Sequence, residues 1–365
     1  MQSLFSGIYK DKTVLVTGHT GFKGSWLCFW LKQMGAKVVG YSLEAPTNPN
    51  HFELLNLDIT SIKGNIKDLE HLNTVFQTYK PDIVFHLAAQ ALVKYSYENP
   101  IETYETNVMG TLKVFEACRN NNVKAIVNIT SDKAYENKEW IWGYRENDPM
   151  GGYDPYSSSK GCADLLATSY RNSYFNINEY KKTHNTLLAT CRAGNVIGGG
   201  DWAKDRLITD IMISVSQGKK VSIRNPKATR PWQHVLEPLS GYLQIGQKLL
   251  EEKVEFAEAW NFGPSDEGSI TVEEVVQNVK KHWDKIDYEI NQDPNQLHEA
   301  NLLKLDCTKA NTILKWKDVW DSETTFEKTV NWYKNFYENN KELLTQSDLE
   351  NYIKEAVGKN IVWTN

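Results

Sequence analysis

Short apolar runs rich in β-branched residues alternate, along the first half of the chain, with longer segments whose apolar residues recur every three or four positions. The short runs predict strands that are covered on both faces, and the longer segments predict helices. This alternation favours a parallel sheet with crossover helices. The predicted strands cover residues 13–17, 37–41, 82–87, 125–130 and 186–191, and the predicted helices cover residues 25–34, 67–79, 100–122 and 156–174.

The pattern changes after residue 191, where glycine-rich loops and isolated tryptophans replace the regular alternation. An amphipathic helix over residues 234–252 and a short strand over residues 259–263 predict a return to the first sheet. We therefore expect an α/β protein with a Rossmann-type doubly wound parallel sheet, built from residues 1–191 and about 234–262. Residues 192–233 and 263–336 are expected to form a smaller mixed α/β domain that binds substrate. The polar residues 337–365 predict a C-terminal helical tail, either a surface helix pair or a contact with a partner.

Composition narrows the class of protein without identifying it. The 365 residues suffice for two domains, and the hydrophobic fraction of 41% is typical of globular proteins. A formal net charge of −5 gives no indication of a nucleic-acid surface or a polybasic membrane anchor. The first residues do not resemble a signal peptide, and no apolar run approaches the ~20 residues of a membrane helix. Five scattered cysteines favour neither disulfides nor a zinc site. We expect a cytoplasmic, metal-free enzyme that acts on small molecules.

Three glycines mark a candidate dinucleotide site. Gly18, Gly21 and Gly24 lie directly between the first predicted strand and the first predicted helix. Gly18 permits a tight turn, Gly21 lets backbone N–H groups approach a pyrophosphate, and Gly24 permits close helix packing. Glycine triplets also occur in plain strand-to-helix turns, but this position between strand and helix favours phosphate binding.

A second cluster predicts acid and base chemistry. Tyr156 and Lys160 lie four residues apart on one helix face, where the ammonium group is expected to lower the phenol's pKa from about 10. Ser131 follows the strand over residues 125–130, at the sheet edge where ligands bind. Asp132 and Lys133 come next and add an acid and a base. A salt bridge or an electrostatic clamp is the alternative role for Lys133.

The glycine spacing and the Ser-Tyr-Lys group together resemble the extended short-chain dehydrogenase/reductase family. The resemblance implies NAD as cofactor. The acid that usually binds the ribose is absent from the second strand, which reads Gly40-Tyr41-Ser42, and Lys23 leaves NADP as an alternative. The resemblance implies further cofactor contacts from Thr20, Phe22, Lys23, Asn65, Ile66, Leu87, Ala88 and Ala89, with Asn107 supporting Lys160.

Four longer motifs narrow the resemblance to the nucleotide-sugar 4,6-dehydratases. They are V-T-G-H-T-G-F-K-G-S-W, T-S-D-K-x-Y-E-N, C-R-A-G-N-V-I-G-G-G-D-W and R-P-W-Q-H-V-L-E-P-L, within a likeness that runs over about residues 6–336. An Asp-Lys pair in place of Asp-Glu resembles the branch that acts on CDP-glucose. The resemblance implies oxidation at carbon 4, loss of water across carbons 5 and 6, and hydride return to carbon 6. Asp132 would be the acid and Lys133 the base, and the product would supply deoxysugars for surface polysaccharide such as O-antigen.

The substrate side and the assembly are expectations of the same kind. The residues expected to contact substrate are Gln90, Asn195, Arg206, Arg230 and His234, with backbone donors from Gly198, Gly199 and Gly200. A homodimer or homotetramer is expected. The alternatives are a nucleotide-sugar 4-epimerase, a 4,6-dehydratase for another nucleoside diphosphate glucose, and a non-catalytic dinucleotide-binding regulator. The joint presence of Tyr156 and Lys160 argues against the regulator.

Overall fold

The computed structural model describes residues 1–223, 226–264, 269–291 and 302–365. Its strands are β1 (Thr13–Thr17), β2 (Lys37–Ser42), β3 (Thr60–Lys63), β4 (Ile83–His86), β5 (Ala125–Ile129), β6 (Leu187–Ala193), β7 (Asn195–Ile197), β8 (Val221–Ile223), β9 (Thr229–His234), β10 (Ala259–Phe262), β11 (Ser269–Thr271) and β12 (Tyr288–Ile290). Its α-helices are α1 (Phe22–Gln33), α2 (His51–Leu55), α3 (Leu69–Tyr79), α4 (Val93–Glu98), α5 (Pro100–Tyr104), α6 (Thr111–Asn120), α7 (Pro155–Asn172), α8 (Leu207–Ser216), α9 (Leu236–Leu250), α10 (Val272–His282), α11 (Ser322–Glu338) and α12 (Thr345–Gly358).

The central sheet confirms the predicted fold class. In the described ranges it has seven parallel strands in the order β10-β6-β5-β4-β1-β2-β3. The chain reverses direction across the sheet between β1 and β4, and ligands of such sheets bind at the carboxyl ends of the strands there. All five strands predicted in the first half are present. The edge strand β3 was not among them, because three of its four residues are exposed and Ile62 is its only apolar residue.

The predicted helix over residues 100–122 is not continuous. It consists of α5, a π-helical segment from Glu105 to Gly110, and α6. Apolar spacing alone does not reveal a π turn, because one inserted residue changes the spacing only locally. The segment matters for function, since Asn107 lies in it.

Helix α9 is buried on nearly all sides, whereas the sequence predicts an amphipathic helix. One side of α9 packs against β5 and β6. Glu237 and Ser240, on α9, hydrogen-bond Tyr352 and Trp316 from the last part of the chain. Polar residues such as Gln244, which donates to the carbonyl of Leu314, therefore face protein and not solvent.

A second hydrophobic core lies beyond the main sheet. It joins α8, α10 and α11 to two small sheets, one with the order β11-β9-β7 and one pairing β12 with β8. Trp202 lies in this core against the rings of Trp332, Tyr333 and Phe336.

The C-terminal tail is packed into the first core, contrary to the expectation of a surface helix pair. Leu349, Tyr352 and Trp363 are buried, and Trp363 stacks on Phe5 with ring centroids 5.3 Å apart. The backbone N–H of Ser6 donates to the carbonyl of Asn365. The tail is polar in composition but has one apolar face, and this face packs against α1 and α9.

Glu237 predicts how stability depends on pH. Its buried carboxyl accepts hydrogen bonds from Tyr352 and from the backbone N–H groups of Val319 and Trp320, and burial raises its pKa to about 8. The folded chain therefore binds this proton more tightly than the unfolded chain, and the free energy of unfolding falls as pH rises from about 4.5 to 8. Asp348, whose pKa burial raises to about 7, acts in the same direction. We expect the melting temperature of Glu237→Gln, measured by calorimetry, to fall less steeply across this range than that of the unaltered chain. Parallel curves would contradict the assignment.

Candidate active site

The glycine-rich loop has the geometry that a bound pyrophosphate requires. Gly18 has φ +75°, and a Cβ atom there would lie 2.8 Å from the backbone of Ala88. At Gly24 a Cβ would lie 2.1 Å from the carbonyl oxygen of Gly18. Helix α1 begins after Gly21 without a side-chain cap, so its first N–H groups point toward the cavity. These features fit a dinucleotide.

The end of β4 forms the part of the cavity wall that lies next to the glycine-rich loop. The hydroxyl of Thr17 accepts hydrogen bonds from the N–H groups of Leu87 and Ala88, and it bonds Nδ1 of His86 at 2.7 Å. On its other side His86 bonds Thr111 at 3.0 Å. Burial lowers the pKa of His86 to about 3, so the ring that bonds Thr17 and Thr111 is neutral. Leu87, Ala88 and Ala89 line the cavity as predicted.

The structure brings most of the other predicted cofactor contacts to the same cavity. Its lining includes Thr20, Phe22, Lys23, Asn65 and Ile66. The amide oxygen of Asn65 already accepts from the N–H of Lys67, and the Thr20 hydroxyl bonds Ser42.

Glu44 lines the cavity two residues beyond the end of β2 and pairs with Lys63. Glu44 is not predicted from the sequence, because it lies beyond the last residue of β2, where the ribose-binding acid is usually found. An acid within two residues of the strand end is the signal that identifies it.

Lys23 lies at the catalytic end of the cavity. Burial and the neighbouring Arg206 lower its pKa to about 8, while Asp132 and Asp201 oppose that shift. Because its charged neighbours belong to the catalytic centre, Lys23 does not serve as a receptor for a ribose 2′-phosphate. The argument for NADP that was based on Lys23 loses its support.

The first turn of α7 fixes the position of Tyr156. Asp154 caps the helix by accepting from the backbone N–H of Ser157 at 2.9 Å, and Pro155 is suited to the first helical position. Tyr156 follows, buried to 8% exposure, with Lys160 one turn later and equally enclosed at 7%. The Lys160 ammonium group donates to the carbonyl of Ile129 at the end of β5, at 3.4 Å.

Ser131, Asp132 and Lys133 form the loop that faces this turn. Ser131 begins a short 3-10 helix by accepting from the N–H of Lys133, and its hydroxyl donates to the carboxylate of Asp132 at 2.9 Å. Ser131 also lies close enough to Tyr156 to favour the phenolate and so to lower the pKa of the phenol. Asp132 is buried to 3% exposure, whereas Lys133 is half-buried. The five predicted catalytic residues thus share one cavity.

In the ligand-free chain the pKa of Tyr156 is raised to about 12. Burial is the main cause. Ser131 acts in the opposite direction, Asp132 and Asp154 raise the pKa further, and Arg206 lowers it. The lowering of this pKa by the Lys160 ammonium together with an oxidised nicotinamide ring stays a prediction. Lys160 itself has its pKa lowered to about 8 by burial and by Lys23.

A buried ion pair supports the catalytic loop from below. Arg192 on β6 binds Asp164 on α7 through two hydrogen bonds of 2.7 and 2.8 Å, and Asp164 also accepts from Thr130 at 2.8 Å. Arg192 further donates to the hydroxyl of Tyr135, which bonds Asn261. A buried pair of this kind fixes geometry, since loss of one partner leaves an uncompensated charge.

Asn107 supports the site, but its hydrogen bonds go to other partners than Lys160. Its amide bonds both backbone groups of Gln90, at 2.8 and 3.0 Å, and donates to the hydroxyl of Ser159 at 2.8 Å. The π-helical segment therefore connects the loop after β4 to α7, next to Lys160.

Three of the five residues predicted to contact substrate line the cavity. Asn195 and Arg206 line the cavity, and Arg206 is held by Asp201 at 2.6 Å. Gln90 also lines it, but its side chain is engaged with Leu92 and Thr103.

The substrate prediction for His234 is not supported by the structure. His234 is fully buried against the rings of Trp26 and Trp320, away from the cavity lining. Burial lowers its pKa to about 3. The backbone of Arg230 lies in β9, and its side chain lies outside the described residues.

The three consecutive glycines have a packing role that the sequence analysis did not anticipate. A Cβ at Gly199 would lie 2.0 Å from the Trp332 ring, and one at Gly200 would lie 2.6 Å from the His51 ring. Gly200 also has φ +90°. These glycines make room for aromatic side chains, so the prediction that they present donors to a diphosphate has no support from this geometry.

One cavity of about 1290 Å³ is lined by the glycine-rich loop, the five predicted catalytic residues, Asn195 and Arg206. Its size accommodates a dinucleotide together with a second nucleotide, since pockets for single drug-sized ligands are about 300–1,000 Å³. Within the described ranges, no cluster of three or more His, Cys, Asp or Glu side chains could hold a metal ion. Among the helices that the structure describes, none is long and apolar enough to span a membrane.

Comparison with known proteins agrees with this geometry. A family model described as GDP-mannose 4,6 dehydratase matches residues 15–331. A CDP-glucose 4,6-dehydratase from Salmonella typhimurium strain LT2 is 55% identical over 329 residues, which are 89% of this chain and 91% of that protein. Among solved structures, an epimerase from Methanothermobacter thermautotrophicus has a TM-score of 0.77 at 24% identity, covering 93% of this chain and 95% of that one. A dTDP-glucose 4,6-dehydratase from Bacillus anthracis, in complex with NAD, has a TM-score of 0.72 at 23% identity, covering 90% and 98%.

A Rossmann sheet whose glycine-rich loop and Ser-Tyr-Lys group open into one cavity defines an extended short-chain dehydrogenase/reductase. The chain belongs to the GDP-mannose 4,6 dehydratase family, whose model covers most of its length. The family name does not specify the sugar nucleotide that this chain uses.

Proposed function

We propose that this chain converts CDP-D-glucose to CDP-4-dehydro-6-deoxy-D-glucose and water, with NAD as a cofactor that is regenerated in each turnover. One observation supports this best. Asp132 and Lys133 lie beside Ser131, Tyr156 and Lys160 in the same cavity, so an acid and a base stand next to a redox centre. The 55% identity to a CDP-glucose 4,6-dehydratase supports the choice of sugar nucleotide.

Tyr156 removes the proton of the sugar 4-hydroxyl in the first step. Its phenol is too weakly acidic in the empty site, where its pKa is about 12, and positive charge must favour the phenolate. Lys160, Arg206 and the bound cofactor provide that charge. Ser131 donates a hydrogen bond to the same sugar oxygen and holds it against Tyr156. The glycine-rich loop, Tyr156 and Lys160 would hold NAD, which would supply the hydride transfer between carbon 4 and carbon 6.

Asp132 and Lys133 carry out the elimination of water. The 4-keto group acidifies the proton on carbon 5, which Lys133 removes in its neutral form. Asp132 gives a proton to the 6-hydroxyl, which leaves as water. Once hydride has reached carbon 6, Lys133 returns its proton to carbon 5, and the proton that Tyr156 took from the 4-hydroxyl passes to Asp132, which restores both groups for the next turnover. A protein that only epimerised carbon 4 would need neither group, and the buried carboxyl of Asp132 therefore favours the dehydratase.

We further propose that the chain works as a homodimer or homotetramer in the cytoplasm, where its product supplies deoxysugars for surface polysaccharide. The proposed contact is the exposed apolar surface of the α5–α6 region and α7. Ile101 is 76% exposed, Met109 46% and Leu165 58%. Exposed apolar patches of this kind often mark interfaces between subunits.

The substrate assignment is tested by turnover of CDP-, dTDP-, GDP- and UDP-glucose at one concentration, following the alkaline absorbance of the 4-keto product. We expect CDP-glucose to exceed the others by about tenfold or more in kcat/KM. Tyr156→Phe is the control and should lower every rate by about 100-fold or more while NAD binding persists. Faster turnover of another nucleotide would contradict the choice of base, and formation of CDP-galactose would favour the epimerase.

The role of Asp132 is tested separately from the redox step. Asp132→Asn cannot donate the proton that expels water, so oxidation should outrun elimination. We expect reduced cofactor to accumulate, measured by its near-ultraviolet absorbance in stopped flow, with overall turnover about 100-fold lower. An unchanged rate without accumulation would remove Asp132 from the mechanism.

The proposed interface predicts that Leu165→Glu shifts the chain toward the monomer, because it places charge in an apolar contact. Light scattering of the purified variant and of the unaltered chain measures this shift. A monomeric mass for the unaltered chain would contradict the assembly.

A further inference from the structure

The hydroxyl of Thr345 links the C-terminal helix to the cofactor loop. Thr345 begins α12, fourteen residues beyond the end of the family match at residue 331. Its oxygen lies 2.8 Å from Nε2 of His51 and 3.1 Å from Nε1 of Trp332. Nδ1 of His51 in turn lies 2.8 Å from the hydroxyl of Ser25, in the first turns of α1. Thr345, His51 and Ser25 form what we call the tail relay.

The direction of each hydrogen bond in the tail relay follows from its neighbours. Ser25 donates its proton to the carbonyl of Phe22, so it accepts from Nδ1–H of His51. This leaves Nε2 of His51 as an acceptor for the Thr345 hydroxyl, which itself accepts from the N–H of Trp332. Burial lowers the pKa of His51 to about 3, in agreement with a neutral ring that carries one proton. Every polar atom of the relay is thus satisfied.

The tail relay ends beside the groups that face a pyrophosphate. Ser25 and Phe22 belong to the beginning of α1, whose uncapped N–H groups point into the cavity, and His51 lines the same cavity. Trp26, the next residue of α1, stacks on His51 at 5.1 Å and donates to the carbonyl of Gly199 at 2.9 Å. The relay therefore fixes α1 relative to the segment that leads to Asp201 and Arg206.

We propose that Thr345 is a positioning residue for NAD, acting through His51 and Ser25 on the first turn of α1. The proposal rests on the proposed use of NAD by this chain. Without the Thr345 hydroxyl, His51 loses the donor to Nε2 and with it one of the two hydrogen bonds that orient its ring. The first turn of α1 is then less ordered in the free protein. Binding of the dinucleotide must order it, and the entropy lost in that step weakens the binding of NAD. The C-terminal tail would thus be part of the cofactor site, although it lies outside the family match.

The test compares three variants of the full chain by NAD titration, with tryptophan fluorescence as the readout, and by the melting temperature of the cofactor-free protein. Thr345→Val keeps the shape and removes the hydroxyl, and we expect its Kd for NAD to rise about tenfold, in line with the loss of a buried hydrogen bond. Thr345→Ser retains a hydroxyl and should bind NAD nearly as the unaltered chain does. Tyr352→Phe removes another buried tail hydroxyl, which bonds Glu237, and should lower the melting temperature without changing the Kd.

Ser25→Ala tests the tail relay from its other end and serves if Thr345→Val does not fold. It should raise the Kd by a similar factor, and the double variant should be no weaker than either single one, because both changes break one chain of bonds. An unchanged Kd in Thr345→Val, or in Ser25→Ala, would overturn the proposal. Equal weakening in Tyr352→Phe would also overturn it, since the effect would then come from general loosening of the tail. Failure of the unaltered chain to bind NAD would reject the cofactor assignment and this proposal together.

Discussion

The chemistry proposed for this chain depends on converting a buried phenol into a base. Burial raises the pKa of Tyr156 to about 12, which places the phenolate about 7 kcal/mol above the phenol at neutral pH. A single cation at the protein surface does not offset this free-energy cost of forming the phenolate, because exposed ion pairs contribute only about 0–1 kcal/mol. The cations must lie in the same dry cavity. The arrangement of Lys160, Lys23 and Arg206 around Tyr156 meets that condition, and the charge of an oxidised nicotinamide ring would add to it.

Most of the surrounding structure holds these charges in place against their mutual repulsion. Asp201 binds Arg206, and Asp164 offsets the like charges that lower the pKa of Lys160. Asp164 in turn is fixed by Arg192 and accepts from Thr130, so hydrogen bonds join the carboxyl end of β5, the middle of α7 and β6. On the other wall, neutral His86 connects the strands without adding charge. Charged groups are thus paired both below the cavity, as Arg192 with Asp164, and in its lining, as Arg206 with Asp201.

The sequence predicts an element or a site residue where its role depends on residues that are near it along the chain. Buried parallel strands require runs of apolar β-branched residues, and these runs predict β1, β2, β4, β5 and β6. Tyr156 and Lys160 are predicted because helix spacing alone places them on one face. The cofactor glycines were recognised for the same reason.

His234 was assigned to substrate because it lies in a family-like motif, yet tertiary packing between two tryptophans buries it. The run of glycines from 198 to 200 predicts diphosphate contacts, but Gly199 and Gly200 make room for the rings of Trp332 and His51, which come from distant parts of the chain. The tail was taken for a surface element because its apolar face contains only a few residues, among them Leu349, Tyr352 and Trp363. Such roles depend on contacts across hundreds of residues, which no local pattern encodes.

The central claim is that one cavity removes hydride from carbon 4 and returns it to carbon 6 of the same sugar. It is tested most directly with CDP-glucose that carries deuterium at carbon 4, mixed with unlabelled substrate that carries a mass label elsewhere in the sugar. Mass spectrometry and NMR of the product locate the deuterium. The account predicts deuterium at carbon 6 of the molecules that began with it at carbon 4, without exchange between molecules or loss to solvent. Deuterium that stays at carbon 4, appears in the other population or is lost to water would contradict it.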